Sequence, residues 1–288
     1  NGQDFGMKDT DRLLHKFEIN TTDTLLLFTN KGNYLYIPVH ELPDIRWKDL
    51  GQHVANIISI DRDEFIIEAF PVTNFELPEY LLFITKNGMV KKSELTMYKA
   101  QRYSKPLVAI NLKNDDEVVS VHITNGNMDV FLVTHLGYGL WFGEEEVNVV
   151  GARAAGVKGI NLKDGDYVIA GSVVPPSTPA ELSIVTQRGA VKKMKITEFE
   201  KATRAKRGLV MLRELKNHPH RIVGAHFVTN LDELFLKTQN GKIESVETKS
   251  LRPNDRYSNG SFVVDTDEAG EVIDTWIVTN EENSDEIK

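Results

Sequence analysis

Val130-Phe131-Leu132-Val133-Thr134-His135-Leu136-Gly137-Tyr138-Gly139-Leu140-Trp141-Phe142 reads as two apolar strands joined by a short turn that ends in glycine. Glycine accepts the positive φ that a tight turn imposes, so the stretch predicts a β-hairpin. The Thr-x-x-Gly turn occurs five times: Thr29 to Gly32, Thr85 to Gly88, Thr134 to Gly137, Thr186 to Gly189 and Thr238 to Gly241. Its glycines lie 56, 49, 52 and 52 residues apart. Each turn follows an apolar run such as Leu25-Leu26-Leu27-Phe28 and precedes another such as Tyr34-Leu35-Tyr36-Ile37. A period of this length marks a repeat architecture before any single element is assigned.

The remainder of each unit also repeats. Ile110-Asn111-Leu112-Lys113-Asn114-Asp115-Asp116-Glu117-Val118-Val119 matches Ile160-Asn161-Leu162-Lys163-Asp164-Gly165-Asp166-Tyr167-Val168-Ile169, each a strand, an acidic turn and a strand. Looser copies stand at Ile60–Glu64, at Asp265–Glu268 and, at the very start, at Met7–Leu14. Four short strands in about 50 residues is the size of a propeller blade, and four to eight such blades close a ring. The fold expected is therefore all-β, a propeller-like ring of six four-stranded blades whose first blade is incomplete. The second half of that first blade covers residues 1–22. The others cover 23–73, 74–126, 127–176, 177–229 and 230–280, all within one domain spanning 1–288. Only Lys192 to Ala202 suggests a short helix. Pro175-Pro176-Ser177-Thr178-Pro179 reads as an inter-blade linker, and the acidic tail 281–288 as disordered.

Between the two halves of each unit lies a polar loop that contains an arginine, Arg46, Arg102, Arg153, Arg204 or Arg256, falling 14, 14, 16, 15 and 15 residues after the turn glycine. Gly51, Gly156, Gly208 and Gly260 follow four of them, and Pro106 the other. A planar guanidinium beside glycine, whose bare backbone lets an anion approach, suits phosphate. The alternative is that each arginine pairs with an acidic turn and staples the blades together.

The overall charge of −8 argues against a polyanionic partner until its distribution is considered. Residues 86–105 carry +5 and residues 186–216 carry +7, so the rest of the chain carries −20. Within the basic stretches Lys91-Lys92 and Lys192-Lys193 occupy one place in their hairpins, where repeats 1 and 3 hold Leu35-Tyr36 and Leu140-Trp141. Recurrence at equivalent positions favours a built surface over scattered solvation. The reading is a basic edge that binds double-stranded DNA.

Other chemistry finds no support. The chain has no cysteine, which fits a reducing compartment. Its eight histidines lack ligand spacing, and Asp61 to Asp63, Asp164 to Asp166 and Asp265 to Asp267 sit at the repeated acidic turn, where aspartate bonds its own backbone. His218-Pro219-His220 reads as an exposed turn. Phosphate-loop and nucleophile-elbow motifs do not occur, nor does an apolar run long enough to cross a membrane, and the first residues do not form a signal pattern. No catalytic residue, metal or cofactor is assigned.

The strings His40–His53, Val150–Gly159, Thr203–Gly208 and Arg256–Phe262 resemble C-terminal domains of the topoisomerase IV protein ParC in its Gram-positive form, within the GyrA/ParC family of type IIA topoisomerases. That resemblance implies a β-pinwheel, a propeller-like ring whose blades exchange a strand, with an edge that binds and bends DNA. It implies that Arg46, Lys48, Lys91, Lys92, Arg102, Lys105, Arg153, Lys158, Arg188, Lys192, Lys193, Lys195, Arg204, Lys206 and Arg207 contact DNA. The implied partners are the ATPase subunit ParE, along with the catalytic core that precedes such domains in the same polypeptide. ATP and magnesium would be needed only by other domains of the parent enzyme, which decatenates and relaxes DNA. The implied location is cytoplasmic and nucleoid-associated, or membrane-peripheral within the holoenzyme. The sister gyrase protein GyrA carries a Gln-Arg-Arg-Gly-Gly-Lys-Gly box, and Arg204-Ala205-Lys206-Arg207-Gly208 is only partly like it. A propeller-like protein scaffold without DNA contact is the alternative from another class. Arg102-Tyr103 and Arg256-Tyr257 mimic the family's Arg-Tyr nucleophile but lie in blade loops, away from any carboxylate cluster.

Overall fold

The structure, a computed structural model, describes residues 12–14, 17–42, 50, 53 and 63–280. Arg46, Lys48, Asp61 and the tail 281–288 lie outside the described residues. The first repeat contributes β1 (Thr24–Thr29), β2 (Asn33–Pro38) and β3 (Ile66–Val72); the second contributes β4 (Tyr80–Thr85), β5 (Met89–Glu94), β6 (Leu107–Val108) and β7 (Val118–Thr124). The third adds β8 (Asp129–Thr134), β9 (Tyr138–Gly143), β10 (Val157–Lys158) and β11 (Val168–Val174). The fourth adds β12 (Glu181–Thr186), β13 (Ala190–Lys195), β14 (Leu209–Val210) and β15 (Ile222–Val228). The last adds β16 (Asp232–Thr238), β17 (Ile243–Glu247), β18 (Ser261–Phe262) and β19 (Val272–Thr279).

The repeated Thr-x-x-Gly has a physical cause that is the same in every copy. The glycine N–H closes onto the threonine carbonyl at 2.9–3.1 Å. The buried threonine hydroxyl then accepts the N–H of the residue four positions on, at 3.0–3.2 Å, in Asn33, Met89, Tyr138, Ala190 and Lys242. The five glycines have φ between +83° and +108°. A bulge falls at the threonine in all five sheets, where the strand leaves register with its other neighbour.

The two-residue strands complete sheets of the preceding repeat. The sheet orders are β3-β1-β2-β6, β10-β5-β4-β7, β11-β8-β9-β14 and β15-β12-β13-β18. Register is conserved: Tyr34 faces Leu107, Val90 faces Val157, Gly139 faces Leu209 and Val191 faces Ser261. Each of these four blades is thus closed along one edge by the segment that follows the next repeat's arginine, which is the strand exchange of a pinwheel. The last sheet, β17-β16-β19, has three strands.

Two compact units result. One is Asn1–Gly126 with Val147–Lys158, the latter joined to it because β10 completes the sheet of β5; the other is Asn127–Glu146 with Gly159–Lys288. In the first unit Phe28 lies within 5.6–6.2 Å, centroid to centroid, of Tyr34, Phe70, Phe83 and Tyr98. In the second, Phe131 packs edge-on against Phe199 at 4.9 Å and Phe227 at 5.5 Å. Each such buried ring stabilises its unit by about 1.5–3 kcal/mol relative to exposure.

Three expectations are corrected. Among the described residues there are five blades, not six, and Arg12–Leu14, expected in a strand of the incomplete blade, form a helical turn. Lys192–Ala202 is not a helix: Lys192–Lys195 belong to β13, and only Ile196–Glu198 make a 3-10 turn. His220 is not an exposed turn residue but is buried, with Nδ1 3.0 Å from the Thr186 hydroxyl, and burial followed by the charge of Arg188 pushes its pKa down to about 4.

Candidate nucleic-acid interface

The arginine loops run along the sheet edges just upstream of the exchanged strands. In the fourth repeat the Ala202 N–H donates to Trp141 O at 2.7 Å, the Ala205 N–H to Gly159 O at 2.8 Å, and β14 then pairs with β9. Arg204 Nε donates to Glu146 O at 3.2 Å and Arg256 Nε to Glu198 O at 2.8 Å. The two contacts are equivalent: each arginine holds the 3-10 turn of the repeat before it. Stapling is therefore real for these two, although the acceptors are backbone carbonyls and not the acidic turns. Arg256 also donates to Val210 O at 3.0 Å and stacks 5.0 Å over Tyr257.

The glycine after each of these two arginines serves the loop's attachment, not an anion's approach. A Cβ on Gly208, at φ +90°, would stand 2.4 Å from Gly139 O, and one on Gly260, at φ +79°, would stand 2.4 Å from Val191 O. Only a bare backbone fits against the strand there.

Exposed cations cluster on these loops. Arg102 and Lys105, Arg153 and Lys158, and Lys206 and Arg207 are exposed, while Arg204 and Arg256 are half-buried through their stapling contacts. Arg207 Nε donates to Asn161 O at 3.2 Å. Lys195 is exposed at the end of β13. Arg188 sits elsewhere, on the hairpin turn. It donates to His218 O at 2.9 Å and lies 5.5 Å over the Phe262 ring, so it is committed to packing.

The lysine pairs are the main correction. Lys91, Lys92, Lys192 and Lys193 are 1%, 4%, 1% and 4% exposed, so they do not line a phosphate-binding surface. Lys91 Nζ donates to the Tyr98 hydroxyl at 3.0 Å, to Ala109 O at 2.8 Å and to Ala152 O. Lys192 Nζ donates to Asp255 O at 3.0 Å and Ser258 O at 2.6 Å. Burial pushes the pKa of Lys91 down to about 7. It pushes Lys192 down to about 8, with the Asp255 and Glu198 carboxylates opposing the shift. Lys193 donates to Thr248 O at 2.9 Å and lies 3.5 Å from the Glu181 carboxylate; Lys92 lies 5.3 Å over the Tyr80 ring. Leu35-Tyr36 and Leu140-Trp141 at the equivalent places carried the signal that these positions face inward.

The acidic turns are structural too. Asp116 Oδ1 accepts the N–H groups of Asn87 and Glu117, both at 2.8 Å. Asp166 Oδ1 accepts those of Leu136 at 2.9 Å and Tyr167 at 2.8 Å. Each thus ties the acidic turn of a blade to its own Thr-x-x-Gly turn. Asp265 accepts the Asp267 N–H at 3.0 Å. Among the described residues no group of three or more acidic or histidine side chains could hold a metal ion, and no helix is long and apolar enough to cross a membrane. Tyr103 donates to the Glu41 carboxylate at 2.5 Å and packs on Tyr36 at 5.0 Å, which accounts for it structurally.

Residues 23–73, 79–125, 129–175 and 180–229 match the family described as DNA gyrase C-terminal domain, beta-propeller. The chain belongs to that family. It is 63% identical over 98% of its length to the A subunit of DNA topoisomerase 4 from Bacillus subtilis (strain 168), and 43% identical over 96% to the protein of the same name from Staphylococcus aureus (strain MSSA476). The chain spans about a third of the length of these curated relatives, 35% and 34%. A crystal structure of the C-terminal domain of DNA topoisomerase IV matches at TM-score 0.89 and 64% identity, covering 98% of this chain and 87% of that one. A DNA gyrase A C-terminal domain matches at TM-score 0.70 and 22% identity over 89% and 83%, a likeness of fold alone. The family thus carries the propeller-type blades that the sequence repeat predicts, and relatives and structure both point to topoisomerase IV over gyrase.

Proposed function

We propose that the chain is the DNA-binding and DNA-bending domain of a topoisomerase IV protein of the ParC type. It would hold a duplex segment for the catalytic core of the same polypeptide, while a partner ATPase subunit (ParE) with bound ATP and magnesium drives strand passage elsewhere. The observation that carries this reading is the set of arginine loops hung in one register on the edges of successive sheets. Their cations, Arg102, Lys105, Arg153, Lys158, Lys206 and Arg207, recur while the rest of the chain is acidic. Lys195 extends the basic surface of the fourth repeat, and the half-buried Arg204 and Arg256 each keep a guanidinium at a loop. Arg46 and Lys48 would belong to the corresponding loop of the first repeat.

Bending 20–30 base pairs costs on the order of 1–6 kcal/mol, which several phosphate contacts must offset. Binding should therefore fall steeply with salt. Titrating the 288-residue chain with a duplex of about 30 base pairs at roughly 50 and 200 mM salt tests the reading. Tight, salt-sensitive binding that weakens in R102A, R153A and R207A supports it. No binding at the lower salt would refute it and favour a protein-interaction scaffold.

A further inference from the structure

We propose that the Tyr257 hydroxyl, held in place by Arg256, donates to a phosphate oxygen of the DNA and so brings the last repeat into the binding surface. The proposal rests on the DNA-binding reading above and names one contact within it. Tyr257 is 67% exposed, the most exposed large hydrophobic side chain among the described residues. Strand register fixes its place in the loop: Ser261 pairs with Val191 as Leu107 pairs with Tyr34, Val157 with Val90 and Leu209 with Gly139. Four positions before these exchanged residues stand Tyr257, Tyr103, Arg153 and Ala205. The four repeats use that place differently. The Tyr103 hydroxyl donates internally, to the Glu41 carboxylate at 2.5 Å. Ala205 has no side-chain donor, and Arg204 before it gives its own N–H to Glu146 Oε1 at 3.0 Å. Arg153 is an exposed cation, and Tyr257 an exposed phenol.

The arginine beside it gives this phenol its direction. Arg256 donates from Nε to Glu198 O at 2.8 Å and from Nη1 to Val210 O at 3.0 Å. Its guanidinium lies 5.0 Å over the Tyr257 ring, and Nη2 donates to the phenol oxygen at 3.2 Å. The hydroxyl thus accepts from a cation, while among the described residues its own O–H donates to nothing. A hydroxyl that accepts from a charged donor is polarised and becomes the stronger donor itself. Tyrosine is among the side chains that bond the phosphate oxygens of a duplex. The loop is also ordered in advance. Lys192 Nζ holds Asp255 O at 3.0 Å and Ser258 O at 2.6 Å, the carbonyls on either side of Arg256-Tyr257. Asp255 Oδ1 accepts the Tyr257 N–H at 2.9 Å, and the Asn259 side chain bonds both backbone groups of Arg213, at 2.9 and 3.0 Å. A donor on a loop fastened at these points loses little freedom on binding. With Nε and both Nη atoms engaged, Arg256 is the positioning residue, and Tyr257 makes the contact.

A neutral donor leaves a signature that a cation does not. Losing an arginine–phosphate contact flattens the plot of log affinity against log salt, whereas losing a phenol should shift the plot without tilting it. The test uses the 288-residue chain, the same short duplex and a salt series from roughly 50 to 200 mM. Y257F keeps the ring and its stacking on Arg256, and the missing oxygen is at the surface, so the variant should melt like the parent. It should bind about tenfold more weakly at every salt concentration with the parent's slope, while R153A should lower the slope by about 1. If Y257F binds like the parent while R153A weakens binding, the inference is overturned and DNA binding stands. A loss in Y257A that Y257F does not share would place the ring, not the hydroxyl, on the DNA and would overturn it as well. So would a Y257F slope lowered like that of R153A, because the residue would then act through a charge. If R102A, R153A and R207A all bind like the parent, the underlying reading fails instead.

Discussion

Three glycines separate the two reasons a glycine is required, and Gly208 combines both. Its φ of +90° costs an alanine about 1–2 kcal/mol. The added Cβ would also lie 2.4 Å from Gly139 O and 2.8 Å from the Gly139 carbonyl carbon, both backbone atoms that cannot rotate away. Relief requires the loop to retreat by most of an ångström, which breaks the pairing of Leu209 with Gly139. Each lost ladder bond adds about 0.5–1.5 kcal/mol. G208A should therefore cost ~3 kcal/mol. Gly241 has nearly the same φ, +85°, but nothing within 4 Å of its Cβ position, so G241A should cost only ~1 kcal/mol for the backbone strain. Gly151 has neither constraint, and G151A should stay within about 0.5 kcal/mol of the parent. At ~2–4 °C per kcal/mol, calorimetry should show losses of about 6–12, 2–4 and under 2 °C. Retreat of the loop also displaces Arg204, Lys206 and Arg207, so G208A alone of the three should weaken DNA binding. A G208A protein that melts within error of G241A would refute the steric argument, and with it the claim that this glycine exists to fasten the arginine loop.

Other perturbations probe the buried polar groups. Glu146→Ala uncaps the Arg204 N–H and should steepen the salt dependence of DNA binding by about 1, one added phosphate; an unchanged slope would count against the carboxylate as an internal anion. The depressed pKa of Lys91, about 7 against 10.5 unfolded, means that the unfolded chain binds more protons between those values. Stability should consequently rise with pH across that window and be lost as pH falls through it, by about 2 kcal/mol between roughly pH 7 and 9. Urea unfolding at the two pH values, parent against K91M, should show this gain only in the parent.

The repeat made most of the fold legible because its signature residues act within a few positions of themselves. Thr134 and Gly137 close the same turn whatever surrounds them, so five copies could be read as five hairpins. The acidic turns were legible as structural for the same reason, although their true bond, Asp166 to the Leu136 N–H, spans 30 residues. The exchanged strands were not visible: Val157-Lys158 and Leu209-Val210 are two residues long, too short for any period. They become strands only because a neighbouring edge needs partners. The arginine loops were found by spacing, yet spacing could not say that Gly208 lies against Gly139 rather than against a ligand.

The lysines show why charge alone misleads. A lysine is placed on the surface by default because desolvating its ammonium is expensive. Here the cost is offset by carbonyls that the exchange itself brings over the strand: the loop crossing β5 delivers Ala152 O to Lys91, and the loop crossing β13 delivers Asp255 O and Ser258 O to Lys192. Where no loop crosses among the described residues, at β17, the equivalent residue is Glu244, partly exposed and 3.4 Å from Lys242. A basic residue at this position therefore reports an overlying loop with carbonyls to satisfy. Leucine at the same position, as in Leu35 and Leu140, reports one ordered by other contacts.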